Sequence, residues 1–268
     1  MTKAHTKAKK FTQKNKKLKT LAKGLALLLA LAGTLVLSHQ LYVNNKHSYN
    51  YYKGFGIALP NNYGIHGIDI SHHNGTINWA MVRGMNVRGI TINFAFIKAT
   101  QGTTITDKNY NYNATQAHKV GIPTGAYHYF TEGESGVAQA HFFIQKVGKL
   151  LPGNLPPVLD IEQNNNTPKE ALCTQALLWL NTVENYYNVK PILYTYVGFY
   201  KFNMAHNTAF NNYPLWIAHY TQATQPTTGR AWHLWQHSER GRVSGINTAV
   251  DFNVYNGDYL SFQNLLLH

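Results

Sequence analysis

The sequence predicts an α/β protein folded as an irregular β/α barrel, TIM-barrel-like with a helix-poor C-terminal third. From residue 65 onward, β-rich segments alternate with helical patterns, which is typical of parallel strands joined by crossover helices. The chain has 268 residues, enough for one barrel of roughly 200–250 residues plus a tail. The last third contains strand patterns with little helical pattern between them, and we therefore expect an irregular barrel.

The individual elements follow from local composition. Short runs of β-branched and aromatic residues, several of them opened by proline, predict strands. Helices are predicted where apolar residues recur at helical spacing, with Asn78 capping the first and Pro168 opening the longest. The predicted strands cover residues 65–71, 91–99, 123–130, 157–162, 191–196, 213–220, 231–238 and 248–254. The predicted helices cover residues 79–85, 107–120, 136–150, 168–187 and 199–204.

Residues 1–43 combine a basic segment with an apolar one. Nine lysines lie between Lys3 and Lys23, and residues 21–37 are almost entirely apolar. This order is the pattern of an export signal, and the positive-inside rule keeps the lysines in the cytoplasm. We predict an exported protein held in the membrane by an uncleaved signal anchor, with its body facing the periplasm or cell exterior. The alternative is a cleaved signal peptide and a secreted protein.

The charge distribution argues against a nucleic-acid partner. The formal net charge is +13, but every acidic residue follows position 60, and removing the first 23 residues leaves a balance of +4. The basicity therefore belongs mainly to the tail, where an apolar segment follows it. Residues 44–62 are polar and are interpreted as a linker, and residues 63–268 as the barrel domain. The single cysteine, Cys173, lies in an apolar run and is predicted to be a core thiol.

Four carboxylates lie at predicted strand ends, and barrels of this kind have their active sites at the C-terminal ends of the strands. Asp69 ends the first strand, Asp160 and Glu162 end the strand 157–162, and Asp251 lies on or next to the last strand. Residues at i and i+2 of a strand point to the same side. Two carboxylates in one small, partly dry space cannot both ionise easily, so the pKa of one rises and the pair provides an acid beside a base. Glycoside cleavage uses such a pair, although an ion-pair network or a solvated loop would show the same pattern.

Other chemistries find less support in the sequence. Its fourteen histidines include the adjacent His72 and His73, but neither a His-Glu-x-x-His helix nor a Cys/His cluster is present. Glycine-rich phosphate loops and a Gly-x-Ser-x-Gly elbow are also absent. We therefore expect neither a metal nor a cofactor.

The sequence resembles glycoside hydrolase family 25, the Chalaropsis-type lysozymes. The opening motif includes Asp69-Ile70-Ser71, and the predicted catalytic strand ends in Asp160-Ile161-Glu162. Seven motifs occur in the family's order and span about residues 65–256, essentially the whole body. The matching segments are 67–75 followed by 78–79, then 96–102, 121–130, 157–162, 215–220, 234–238 and 250–253.

The resemblance implies hydrolysis of the β-1,4 bond between N-acetylmuramic acid and N-acetylglucosamine in peptidoglycan. It makes Glu162 the general acid/base, and it has Asp160 orient the substrate's N-acetyl group, which acts as the internal nucleophile. Asp69 and Asp251 would tune pKa values and hold the sugar. The implied substrate-binding residues are Tyr127, Tyr194, Trp216, Tyr220, Gln236 and Lys98.

Several alternatives stay open at this stage. Core packing is an equal alternative for Tyr127, Tyr194 and Trp216. The family pattern often has Glu where this chain has Gln101 and Gln where it has Asn74, which concerns subsites and rate. A glycan-binding barrel without activity and a hydrolase of chitin-like polymers are the competing functions. We expect peptidoglycan strands and the membrane as partners, no nucleic acid, and a monomer.

Overall fold

The structure is a computed structural model that describes residues 2–44, 49–221 and 225–268. The chain divides into two compact units, Met1–Lys46 and His47–His268. The first unit contains the helix α1 (Thr2–Asn44). Within it, Leu21–Leu41 is 21 residues long with a mean hydropathy of 2.0, which is long and apolar enough to cross a membrane. An export signal near the N-terminus meets the same criteria.

The second unit is built around a closed eight-stranded barrel. Its strands, including three that lie outside the barrel, are β1 (Tyr49–Tyr52), β2 (Ile57–Pro60), β3 (His66–Ile70), β4 (Ile92–Gln101), β5 (Ile105–Thr106), β6 (Thr124–Tyr129), β7 (Val158–Asp160), β8 (Ile192–Tyr196), β9 (Leu215–Ala218), β10 (Leu234–Gly241) and β11 (Val250–Tyr255). Around the barrel the order is β3-β4-β6-β7-β8-β9-β10-β11, and β11 pairs with β3 to close it. The short β5 extends the end of β4.

Helices and short helical turns pack against the barrel. They are α2 (Trp79–Gly84), α3 (Tyr110–Lys119), α4 (Gly136–Val147), α5 (Lys169–Tyr187), α6 (Val197–Phe199) and α7 (Tyr259–Gln263), with a π-helical turn at Tyr200–Met204 and 3₁₀ turns at His72–Asn74 and Thr208–Asn212. Asn78 caps α2 as predicted, because its side chain accepts from the Met81 N–H. Among the described residues between β9 and β11 there is no helix, which confirms the predicted helix-poor final third.

The last strand runs against the others. Every neighbouring pair from β3 to β10 is parallel, whereas β11 is antiparallel to both β10 and β3. A short connection between β10 and β11 has no room for a crossover helix, so it reverses the chain direction. The N-terminal end of β11, which carries Asp251, therefore lies at the same rim as the C-terminal ends of the parallel strands.

The segment 44–62, interpreted from sequence as a linker, contains the β1–β2 hairpin. Phe55, Ile57 and Leu59 are buried in one cluster with Ile68. The rings of Phe55 and Phe252 meet edge-on at 5.1 Å. Ile57 and Leu59 alternate with other residues along β2 and so share one face, and together with Phe55 of the turn they pack on the barrel. The compact unit therefore begins before residue 63.

Aromatic side chains fill the barrel interior. Phe94 and Phe96 of β4 are fully buried, and the Phe96 ring stacks on Trp216 with centroids 4.5 Å apart. Two glycines on the neighbouring strands make room for them. A Cβ on Gly67 would lie 2.3 Å from the Phe94 ring, and one on Gly125 would lie 2.6 Å from the Phe96 ring. Side chains fill the closed interior, and enzymes with this fold have their active site at the rim formed by the C-terminal ends of the strands.

Cys173 confirms the prediction of a core thiol. It is buried between α5 and the neighbouring turn, where its Sγ donates a hydrogen bond to the carbonyl of Asn203 at 3.2 Å. Burial raises the pKa of the thiol to about 11, so at neutral pH it is protonated and a poor nucleophile.

Candidate active site

A pocket at the C-terminal rim of the barrel gathers all ten residues that the sequence analysis singled out. We call it the carboxylate pocket. Its volume is about 350 Å³. Four further residues, which the sequence analysis did not predict to be site residues, also line it: Ser71, His73, Tyr129 and Glu239. The ten predicted residues are Asp69, Lys98, Tyr127, Asp160, Glu162, Tyr194, Trp216, Tyr220, Gln236 and Asp251.

Asp160 and Glu162 enter the pocket from one short stretch of chain. The strand predicted for 157–162 ends at Asp160, so Glu162 lies just beyond it. The Ile161 N–H still donates to the Tyr194 carbonyl at 3.1 Å, which keeps the chain extended. Ile161 is buried among apolar residues of α4, α5 and the strands, whereas Asp160 and Glu162 line the pocket. The two carboxylates therefore share a side, as the i, i+2 spacing predicts.

Both members of this pair hold their protons more tightly than free carboxyls. Burial, followed by the charge of Glu162, keeps the pKa of Asp160 well above its ordinary value. Burial also raises the pKa of Glu162. Among the described residues, the buried Asp160 Oδ1 has no hydrogen-bond partner. The pocket thus combines a proton donor with an acceptor oxygen that is ready for a ligand N–H or O–H.

A chain of hydrogen bonds fixes the carboxylate of Asp69 near the end of β3. Its Oδ2 accepts from Gln236 Nε2 at 2.9 Å and from Asn253 Nδ2 at 2.7 Å. The hydroxyls of Tyr194 and Tyr220 donate to Gln236 Oε1 at 2.8 and 2.6 Å. These two hydrogen bonds orient the Gln236 amide, so that its NH₂ group faces Asp69. Asn253, which sequence reasoning missed, lies two residues from Asp251 on the same face of β11.

Asp69 and Asp251 form a second pair of carboxylates. They are register partners across the antiparallel β3–β11 ladder. Burial raises the pKa of Asp69 to about 6 against the amide hydrogen bonds that lower it. Burial and then the charge of Asp69 raise the pKa of Asp251 to about 9. The two carboxyls titrate as a pair with values of about 6 and about 9, so at neutral pH they hold about one proton between them.

Lys98 is the cation of the pocket. Its Nζ donates to Gln101 Oε1 at 2.7 Å and lies 4.7 Å from the centre of the Tyr129 ring. Burial lowers its pKa, and the charges of Asp160, Asp107 and Glu162 oppose that shift. Gln101, a departure from the family pattern, therefore positions this lysine. Asn74, the other departure, caps the turn after β3 by accepting from the Ser71 N–H at 2.9 Å.

The aromatic residues divide between core and pocket. Trp216 and Tyr194 are almost fully buried in the barrel interior, and Trp216 Nε1 donates to Asn253 Oδ1 at 2.8 Å. They form the floor of the pocket and belong to the core at the same time. Tyr127 is half-buried and Tyr220 is exposed at the rim. Within the part of the chain that the structure describes, no group of three His, Cys, Asp or Glu residues is placed to hold a metal ion.

Comparison with known proteins gives the family. Residues 68–246 match the family model described as glycosyl hydrolases family 25. The chain belongs to glycoside hydrolase family 25. Membership makes it a glycoside hydrolase, and the matched residues include the β3, β4, β6 and β7 motifs that the sequence analysis used.

Relatives in the family agree in sequence and in fold. The chain is 43% identical over 213 residues to the uncharacterized protein YegX of Escherichia coli K12, covering 79% of this chain and 77% of that one. It is 36% identical over 215 residues to Lysozyme M1 of Streptomyces globisporus, covering 72% and 68%. A solved family 25 glycosyl hydrolase from Bacillus anthracis superposes with a TM-score of 0.70 at 30% identity, covering 82% of this chain and 96% of that one.

Proposed function

We propose that this family 25 hydrolase cleaves the β-1,4 bond between N-acetylmuramic acid and N-acetylglucosamine in peptidoglycan, with Glu162 as general acid/base. The observation that carries the proposal is the pair at the end of β7, where Glu162, whose pKa is raised by burial, stands beside Asp160 with its unpartnered oxygen. The likeness to Lysozyme M1 supports peptidoglycan as the substrate.

The first step breaks the glycosidic bond. Glu162 gives its proton to the bridging oxygen as the bond to C1 lengthens, and burial, which raises the pKa of this carboxyl, favours the protonated form that the step needs. Asp160 Oδ1 accepts the N–H of the substrate's 2-acetamido group and turns the acetyl oxygen toward C1. That oxygen supplies the electron pair and forms a cyclic oxazolinium intermediate, a substrate-assisted route outside the usual two-carboxylate scheme.

The second step returns the proton and releases the product. Glu162, now a carboxylate, takes a proton from a water molecule that attacks C1 and reopens the ring. Because C1 is attacked from opposite faces in the two steps, the product keeps its configuration. Asp69, held ionised by Gln236 and Asn253, faces the positive charge that develops on the sugar.

The apolar segment of α1 supports a location at the membrane. We propose that Leu21–Leu41 is a signal anchor that keeps the lysine-rich segment in the cytoplasm and exports the hydrolase domain. The domain would then work on the glycan strands next to the membrane, as a monomer and without a cofactor. Release of a shortened protein into the medium, seen by mass spectrometry, would instead show a cleaved signal peptide.

The test is reducing-end release from purified peptidoglycan by the full chain in detergent micelles, with mass analysis of the products. We expect fragments that end in N-acetylmuramic acid, and a loss of about a hundredfold or more in Glu162→Gln. Glu184→Gln, on the outer helix α5, is the matched control and should keep full activity. Cleavage of chitin oligomers alone would contradict the proposed substrate, and full activity in Glu162→Gln would contradict the proposed acid.

A further inference from the structure

A second pocket adjoins the carboxylate pocket, and Glu162 lines both. Its volume is about 490 Å³. We call it the asparagine pocket, because Asn164, Asn165 and Asn166 line it. Tyr196 and Phe202 also line it. None of these five residues lines the carboxylate pocket, so the two pockets are distinct and share Glu162 as a lining residue.

We propose that the asparagine pocket binds the leaving-group sugar, an N-acetylhexosamine, with Phe202 and Tyr196 as its platform and the Asn165–Asn166 edge as its hydrogen-bonding wall. This inference rests on the proposed function. A general acid that protonates a bridging oxygen must stand between the two sugars that the oxygen joins. The carboxylate pocket takes the sugar that is attacked, so the space on the other side of Glu162 takes the sugar that leaves.

The two aromatic side chains of the proposed platform, Phe202 and Tyr196, are exposed to solvent. Phe202 is 64% exposed and Tyr196 is 43% exposed. Phe202 lies on the π-helical turn Tyr200–Met204 after β8, and such turns often occur at functional sites. Lys169 Nζ lies 3.4 Å from the centre of the Phe202 ring, which holds the ring in place by a cation–π contact. A fixed, exposed ring in a groove suits the apolar face of a sugar.

The asparagine wall is anchored from both ends. Asn164 Nδ2 donates to Oδ1 of the buried Asn203 at 3.2 Å, and Asn165 Nδ2 donates to Glu132 Oε1. Asn165 and Asn166 have φ values of 37° and 65°, a left-handed conformation that asparagine tolerates better than most residues. The loop therefore holds a fixed shape and presents exposed amides, which can both donate to and accept from hydroxyl and acetamido groups.

The test compares two substrates with different leaving groups. One is a peptidoglycan glycan chain, whose leaving group is a sugar. The other is the β-fluoride of the N-acetylglucosaminyl-N-acetylmuramic acid disaccharide, whose leaving group is a fluoride ion that needs no sugar site. We expect Phe202→Ala in the full chain to lower kcat/KM on the glycan about tenfold, the loss of one good aromatic contact. Its fluoride hydrolysis should stay at the wild-type rate.

Two further variants sharpen the comparison. Asn166→Gly removes the amide while keeping the left-handed backbone, and it should show the same selective loss on the glycan. Phe142→Ala is the matched control, because Lys146 Nζ lies 5.3 Å above the Phe142 ring on α4 and that pair lines neither pocket. It should leave both activities unchanged.

The outcomes distinguish failure of the proposed leaving-group site from failure of the proposed hydrolase activity. Equal losses on both substrates, or no loss on either, in Phe202→Ala and Asn166→Gly would overturn the leaving-group site while the hydrolase stands. A wild-type protein that hydrolyses neither substrate would overturn the proposed function and the inference with it. Selective loss on the glycan in both variants, with Phe142→Ala unaffected, is the supporting result.

Discussion

Asp251 faces Asp69 as its register partner across the antiparallel ladder between β11 and β3. The two carboxyls come from strands that lie 182 positions apart in the chain, and the pair exists only because the barrel closes. Burial and the charge of Asp69 raise the pKa of Asp251 to about 9.

Asp251 makes the protein less stable at alkaline pH. Its pKa in the folded state, about 9, exceeds the unfolded value near 3.8, so between these values the folded state binds more protons. The stability that this carboxyl contributes is therefore complete below pH 4 and is lost as the pH rises through 9. We expect Asp251→Asn to lose less thermal stability than the wild type between pH 6 and pH 9, as measured by calorimetry. An identical loss in both proteins would contradict the shifted pKa.

Lys98 sets the alkaline limit of activity. Its charge lowers the pKa of both Asp160 and Glu162. Lys98→Met keeps the length of the side chain and removes the charge, so both carboxyls should hold their protons to higher pH. The alkaline limb of kcat/KM against pH, which reports the acid of the free enzyme, is expected to move upward. A limb that stays in place or moves downward would show that Lys98 does not act on the acid.

Gln236 must remain an uncharged amide. In Gln236→Glu, a carboxylate would replace the NH₂ that donates to Asp69 at 2.9 Å and would bury a second negative charge beside it. We expect a loss of about 3 kcal/mol or more in the free energy of unfolding at pH 7, measured with urea. Part of it should return at pH 5, where one of the carboxyls takes up a proton. Tyr220→Phe, which removes one donor to Gln236, should cost only about 1 kcal/mol.

Gly67 is required by packing inside the barrel. A methyl group there would lie 2.3 Å from the Phe94 ring, so Gly67→Ala should lower the free energy of unfolding by about 1–3 kcal/mol through overpacking. Gly64→Ala is the matched control, because a Cβ at that nearby exposed position meets nothing within 4 Å. Thermal unfolding of the two variants side by side checks the prediction. Equal stability would mean that the Phe94 ring moves aside without cost.

The sequence located much of the site because the chemistry follows the strand period. Asp69, Asp160 and Glu162 could be placed from strand ends and i, i+2 spacing alone. The same period would have found Tyr129 from Tyr127 and Asn253 from Asp251. Glu239 could not be found this way. The ladder between β10 and β11 shifts register on either side of Ser238, and no residue pattern in the sequence marks that irregularity.

Local pattern by itself determined the alternation of strands and helices, the helix-poor final third, the apolar N-terminal segment and the strand-end carboxylates. These properties depend on periodicity and composition within a few residues. Only the tertiary structure decided that β11 runs antiparallel, that the β1–β2 hairpin packs on the barrel, and that Asp251 faces Asp69. The raised pKa values were decided at the same level, because burial and the distance to another charge depend on residues far apart in the chain, which barrel closure brings together.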